Sequence, residues 1–119
     1  MPAISASRGI AVILPTLALP EIAGSVSRTR TQAFGTAYVR SVVAQQNIEF
    51  MNLSAALARQ AMLLAAAQRL RGADAVYAAL ARRRNTTLVT RDAEHLTRLT
   101  TIVVVQTPEQ VLESLTAPI

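Results

Sequence analysis

Four short apolar runs punctuate the chain, and the stretches between them carry the spacing of helices. The runs are GIAVILP (Gly9 to Pro15), NIEFMNL (Asn47 to Leu53), TTLVT (Thr86 to Thr90) and TIVVVQ (Thr101 to Gln106). β-Branched apolar runs bounded by turn residues predict strands, or for Gly9 to Pro15 a strand or extended segment, and in NIEFMNL the alternation of Ile48, Phe50 and Asn52 or Leu53 predicts one. Between them, Leu19, Ile22, Ala23 and Val26 predict a helix capped by Thr16 that runs through Glu21 to about Arg30. A second helix is predicted over Thr31 to Gln46, with Phe34, Tyr38 and Val42 in step. Ser54 caps a third, which Gly72 breaks. A fourth runs from Ala73 to Arg84, with Val76, Tyr77 and Leu80 facing inward. Asp92 caps a short fifth, and Thr107-Pro108-Glu109 opens the last, with proline at the first turn, where it is tolerated. Helices that alternate with short apolar strands predict an α/β fold: a three-layer α/β/α sandwich around a short, mostly parallel sheet. With 119 residues, one domain over 1–119 is expected.

Charge narrows the class of partner. All twelve basic residues are arginine, and the formal net charge is +5. That balance favours an anionic partner, nucleic acid above all. Arginine suits bidentate phosphate contact, although an arginine- and alanine-rich composition also follows from a G- and C-rich genome. The chain has no cysteine, which excludes disulfides and thiolate metal sites and fits a reducing cytoplasm. Pro15, Glu21 and Arg59 interrupt the longest apolar stretches, well short of the roughly 20 residues a membrane span needs. Arg8 followed by GIAVILPTLAL loosely imitates a signal peptide, but Pro15 and the lack of a cleavage site argue against one.

The acids are few and oddly placed. Asp74 and Asp92 are the only aspartates, and both fall at predicted helix starts. Each has an ordinary structural use there: Asp92 as an N-cap, Asp74 as a carboxylate on the helix dipole. Glu21 opens an otherwise apolar helix in LALPEIAG. In open α/β sheets the functional crevice lies beyond the carboxyl ends of the strands, and Asp92 directly follows one. Three carboxylates converging on such a crevice would repel one another unless a hard cation such as Mg²⁺ or Mn²⁺ neutralised them. A divalent ion held this way can activate water and brace a phosphodiester.

These residues resemble a known family. RGADAVYAALARRRNTTLVTRDAEHL resembles the C-terminal half of PIN domains, the metal-dependent ribonuclease fold of VapC-like toxins. The family has one acid in a G-A-D-A-x-Y-x-A-L-A helix start and another in T-x-D after the next strand, and Asp74 and Asp92 fall on those positions. ILPTLALPEIAGSV resembles a second acidic motif, matched by Glu21, and TIVVVQTPEQVL resembles the closing strand and helix. The resemblance runs from Arg8 to Leu112. It implies an endoribonuclease of a toxin–antitoxin system, with Glu21, Asp74 and Asp92 as Mg²⁺ or Mn²⁺ ligands, RNA as substrate and a cognate antitoxin as partner. The alternative is a catalytically inactive PIN-derived module for binding or oligomerisation.

One departure carries an expectation of its own. The family opens with a strand bearing hydrophobic-Asp-x-Ser/Asn, whereas no aspartate precedes Asp74 here. Arg8 to Pro15 resembles the segment after the family's first helix. The chain is therefore expected to be one strand and one metal-ligand aspartate short, with impaired activity. An exposed hydrophobic strand edge invites pairing with another chain, so a homodimer is expected, with Ile10 to Leu14 near the contact.

Other candidates carry less. His95, the single histidine, is expected on the exposed side of its short helix. Arg82-Arg83-Arg84 suits a helix C-terminus. Arg71, Arg91 and Arg98 are candidates for RNA-backbone contacts. Ser54 and Thr90 have no histidine nearby in sequence, which removes the basis for nucleophilic catalysis. A phosphoacceptor receiver domain would need a lysine and an adjacent acid pair, and the chain has neither.

Overall fold

Strands and helices alternate in a computed structural model that describes residues 10–116. The contacts divide the chain into two units, Met1–Leu53 and Ser54–Ile119. Arg8 and Gly9, where the family resemblance and the first apolar run begin, lie outside the described residues.

The first unit is a parallel strand pair joined by two helices. β1 (Val12–Pro15) pairs with β2 (Ile48–Met51), in the register Val12↔Ile48 to Pro15↔Met51. Between them come α1 (Ala18–Thr29) and α2 (Gln32–Val43). Thr16 does not cap α1. Its N–H still belongs to the ladder, donating to the Met51 carbonyl at 2.9 Å. The cap position therefore passes to Leu17, which has helical dihedrals and no side chain able to cap. Thr31 does cap α2, accepting the Phe34 N–H at 3.0 Å. That helix stops at Val43 rather than Gln46, and its Phe34 and Tyr38 are exposed. The buried face is that of Gly35 instead. A Cβ at Gly35 would collide with the Ser27 hydroxyl and press on the Ala23 carbonyl oxygen at 3.1 Å. The missing side chain is thus what allows α1 and α2 to approach so closely.

The second unit repeats the alternation. Ser54 caps α3 (Ala55–Gln68) by accepting the Leu57 N–H at 3.1 Å. Leu57, Ala61 and Leu64 are its buried stripe. Gly72 is not its breaker. The helix ends at Arg69, which takes the left-handed conformation (φ 56°), and Gly72 is the first residue of α4 (Gly72–Arg83). Ala75, Val76, Ala78, Ala79, Leu80 and Ala81 are all buried, because alanine presents little bulk to its neighbours. Asn85, also left-handed (φ 52°), turns the chain toward β3, an arrangement asparagine tolerates. β3 (Leu88–Val89) pairs in parallel with β4 (Val105–Gln106), with α5 (Ala93–Arg98) between them. β4 is shorter than predicted. Ile102 and Val103 still donate back to the Leu99 carbonyl at 2.9 and 3.1 Å, so the chain is turning out of α5 where the apolar pattern suggested a strand. The ladder begins at the Val104 carbonyl, which accepts the Leu88 N–H at 2.8 Å. α6 (Pro108–Thr116) opens on a reciprocal cap. Thr107 Oγ1 accepts the Gln110 N–H at 3.0 Å, and Gln110 Oε1 accepts the Thr107 N–H at 2.8 Å, the capping-box arrangement.

Both strand pairs are parallel and both are connected through helices. The mixed α/β class with short parallel sheets is the one the sequence predicts. Leu57 and Leu99 are the largest fully buried side chains of the second unit, Pro15 that of the first. Among the described residues no helix is long and apolar enough to cross a membrane.

Candidate metal site

The carboxyl end of β3 is held in place by a chain of short hydrogen bonds. The Thr90 N–H continues the ladder to the Gln106 carbonyl at 3.0 Å. Thr90 Oγ1 then accepts the Asp92 N–H at 3.0 Å. Asp92 Oδ1 in turn accepts the N–H groups of Glu94 at 2.8 Å and His95 at 3.2 Å, capping α5. The turn from strand to helix is therefore specified by Thr90 and Asp92 together, as local side-chain bonding favours at such positions. These bonds also set the charge of Asp92. The His95 N–H, then that of Glu94, hold its carboxyl below the ordinary value. The charges of His95 and Arg71 add to this, and partial desolvation opposes it.

Asp74 approaches the same place from the first turn of α4. It shares with Asp92, His95, Thr90, Leu88, Val89 and Tyr77 the lining of a cavity of about 240 Å³. His95 points into it. Its Nε2 stands 3.5 Å from Asp74 Oδ2, and the His95 side chain is only 14% exposed, against 37% for Asp74. The expectation of an outward-facing histidine is thus corrected. The signal was present in the spacing, since His95 lies four residues before Leu99 and so shares its helix face, and Leu99 is fully buried. Tyr77, expected in the core, is half-buried at the cavity wall.

Of the other predicted residues, Glu21 stands in the first turn of α1, exposed, within the first unit. Two of the three candidate RNA-contact arginines are already paired. Arg91 Nη1 lies 2.7 Å from Glu109 Oε2. Arg98 bonds Glu94 Oε2 at 2.7 Å and the Gln68 carbonyl at 3.0 Å. Arg71, the third, acts on Asp92 through its charge. A larger depression of about 430 Å³ lies beside β4 and α6. Among the described residues Glu113 is its only titratable lining residue, so these supply no convergent donors of the kind that mark a reactive site.

The donor set at the smaller cavity fits a divalent cation held by few protein ligands. Asp74 and Asp92 offer carboxylate oxygens and His95 an imidazole nitrogen. Among the described residues no three such side chains stand close enough to enclose an ion by themselves. Mg²⁺ is commonly bound through one or two carboxylates, with waters and a substrate phosphate completing its shell.

Two carboxylates, those of Asp74 and Asp92, thus line one cavity at the carboxyl end of a parallel strand. The family model described as PIN domain matches residues 2–100, and the chain belongs to that family. The fold is therefore of the nuclease type, in a family whose members generally depend on a divalent metal. Comparison with curated proteins and with solved structures gave no match.

Proposed function

We propose that this chain is a divalent-metal-dependent endoribonuclease of the VapC-like kind, cytoplasmic, restrained by a cognate antitoxin and assembled as a homodimer. The observation that carries the reading is the shared cavity of Asp74 and Asp92, two carboxylates from different helix starts lining one space. Membership of the PIN domain family supports the nuclease class. The net charge of +5 supports a polyanionic substrate.

Asp74 and Asp92 would hold Mg²⁺ or Mn²⁺. Such an ion lowers the pKa of a bound water and offsets charge on a phosphodiester under attack. The protein's own contribution is positioning. Asp92 is fixed by its two backbone donors, so its free oxygen has a set direction. Asp74 is fixed by its place on a helix whose other faces are buried. Arg71 supplies positive charge near the Asp92 carboxylate, where an RNA phosphate would also be drawn. An antitoxin that inhibits such a site would present a cation, an arginine above all, to the same carboxylates.

The test is incubation of the purified chain with single-stranded RNA and Mg²⁺ or Mn²⁺, with and without a chelator. Chelator-sensitive cleavage supports the reading. RNA binding without cleavage under either ion would favour an inactive binding module derived from the same fold.

A further inference from the structure

We propose that the exposed row of Arg30, Phe34 and Tyr38 at the start of α2 is a stacking platform for the unpaired bases of single-stranded nucleic acid. The row lies wholly within the first unit. It shares with the proposed function only the class of partner, and it needs no cation.

The aromatic side chains of the protein are two phenylalanines and two tyrosines. Phe50 and Tyr77 are half-buried. Phe34 and Tyr38 are 41% and 47% exposed. They stand one turn apart on α2, about 6 Å along its axis. Packing through Gly35 decides which positions of α2 face outward. It does not call for aromatic rings there, and polar side chains would meet water at less cost. Arg30 lies over the Phe34 ring, its guanidinium carbon 4.1 Å from the centroid, within reach of a cation–π contact. The ring braces the arginine in place. Among the described residues no carboxylate pairs with Arg30, so its N–H donors remain for an external anion.

Charge selects the occupant. Between Glu21 and Glu49 the chain carries Arg28, Arg30 and Arg40 and no acid. A second copy docked on this face would set like charges against each other, which disfavours self-association here. A polyanion is attracted instead. Duplex nucleic acid offers phosphates, but its bases are already stacked on one another. A single strand offers phosphates to arginine and open π-faces to successive rings, the combination by which such platforms bind. The arginine plane stacks on bases as it does on rings.

The experiment is titration of a labelled oligouridylate with the full chain in a chelator, where metal-dependent cleavage is silent, read by fluorescence anisotropy. Phe34→Leu and Tyr38→Leu keep an apolar side chain of good helix propensity and remove the π-face. Each should weaken binding about fivefold or more, the low end of what one stacked base contributes. Tyr38→Phe should bind like wild type, and the duplex with oligoadenylate should bind less tightly than the single strand at the same salt. Ultraviolet crosslinking mapped by mass spectrometry should attach uridine at Phe34 or Tyr38. Leucine variants that bind as tightly as wild type, a duplex bound as tightly as the single strand, or no binding by the wild type would overturn the platform. Attachment to anionic phospholipid vesicles with none to RNA would overturn it as well. Cleavage under Mn²⁺ is read separately. Its absence with binding intact would count against the nuclease reading and leave the platform standing; its presence with binding unchanged in the leucine variants would do the reverse.

Discussion

His95 Nε2 faces Asp74 Oδ2 across 3.5 Å, joining α5 to α4 at the carboxyl end of β3. The contact links two residues that the chain separates by twenty-one positions, and the His95 N–H is held by the cap at Asp92. If that cap fails, the first turn of α5 loses its anchor and His95 loses its direction. Asp92→Ala should therefore lower the melting temperature and weaken Mn²⁺ binding together. Asp92→Asn should keep the melting temperature near wild type, because an amide oxygen also caps, while cation affinity falls. Thermal melts followed by circular dichroism, paired with calorimetry, separate the two effects.

Acid should reveal the same cap. The Asp92 carboxyl is held low first by the His95 N–H and then by that of Glu94. A group lowered in the folded state contributes stability that is complete above its unfolded pKa and is lost as pH falls through the folded value. The melting temperature of the wild type should thus fall below about pH 4. Asp92→Asn should lose less over that window. Equal losses in the two proteins would contradict the assignment.

In the first unit, Gly35→Ala should destabilise the chain by about 1–3 kcal/mol, the usual cost of overpacking. A gain of up to about 1 kcal/mol in helix propensity opposes it. The Cβ would strike the Ser27 hydroxyl, so Ser27→Ala should recover part of the loss in the double variant. Denaturant titration of the cycle measures that coupling.

The sequence made the alternation of elements legible because it is carried by continuous apolar runs and by strong caps at Ser54 and Asp92. It failed where tertiary contact outweighed local signals. Phe34 and Tyr38 have the spacing of a buried stripe, yet α2 buries Gly35, since close approach to α1 needs a missing side chain there. Ile102 and Val103 have strand composition, but their N–H groups are taken by the turn leaving α5. At the site, Asp74 and Asp92 were legible from their places at helix starts. His95 was misread because the direction of a six-residue helix is set by the buried Leu99 four residues on, not by composition.

The proposed homodimer has its own test. Val12 and Thr16 donate toward β2, so the backbone of Ile13, between them, points to the other edge of β1. Among the described residues β1 has β2 as its sole strand neighbour. With Ile10–Leu14 at or near a two-fold contact, sedimentation equilibrium should give twice the chain mass across the working concentration range. A monomer at the highest concentration would sink the edge argument.

In the proposed function, the carboxylates of Asp74 and Asp92 hold the cation on which RNA cleavage depends. The most direct measurement is the rate of single-stranded RNA cleavage by wild type, Asp74→Asn and Asp92→Asn under Mn²⁺, with calorimetric Mn²⁺ titration of the same preparations. Both substitutions should reduce cleavage and Mn²⁺ affinity together, with circular dichroism unchanged. Cleavage that persists at the wild-type rate in the well-folded Asp74→Asn variant, or in a chelator, would contradict the account.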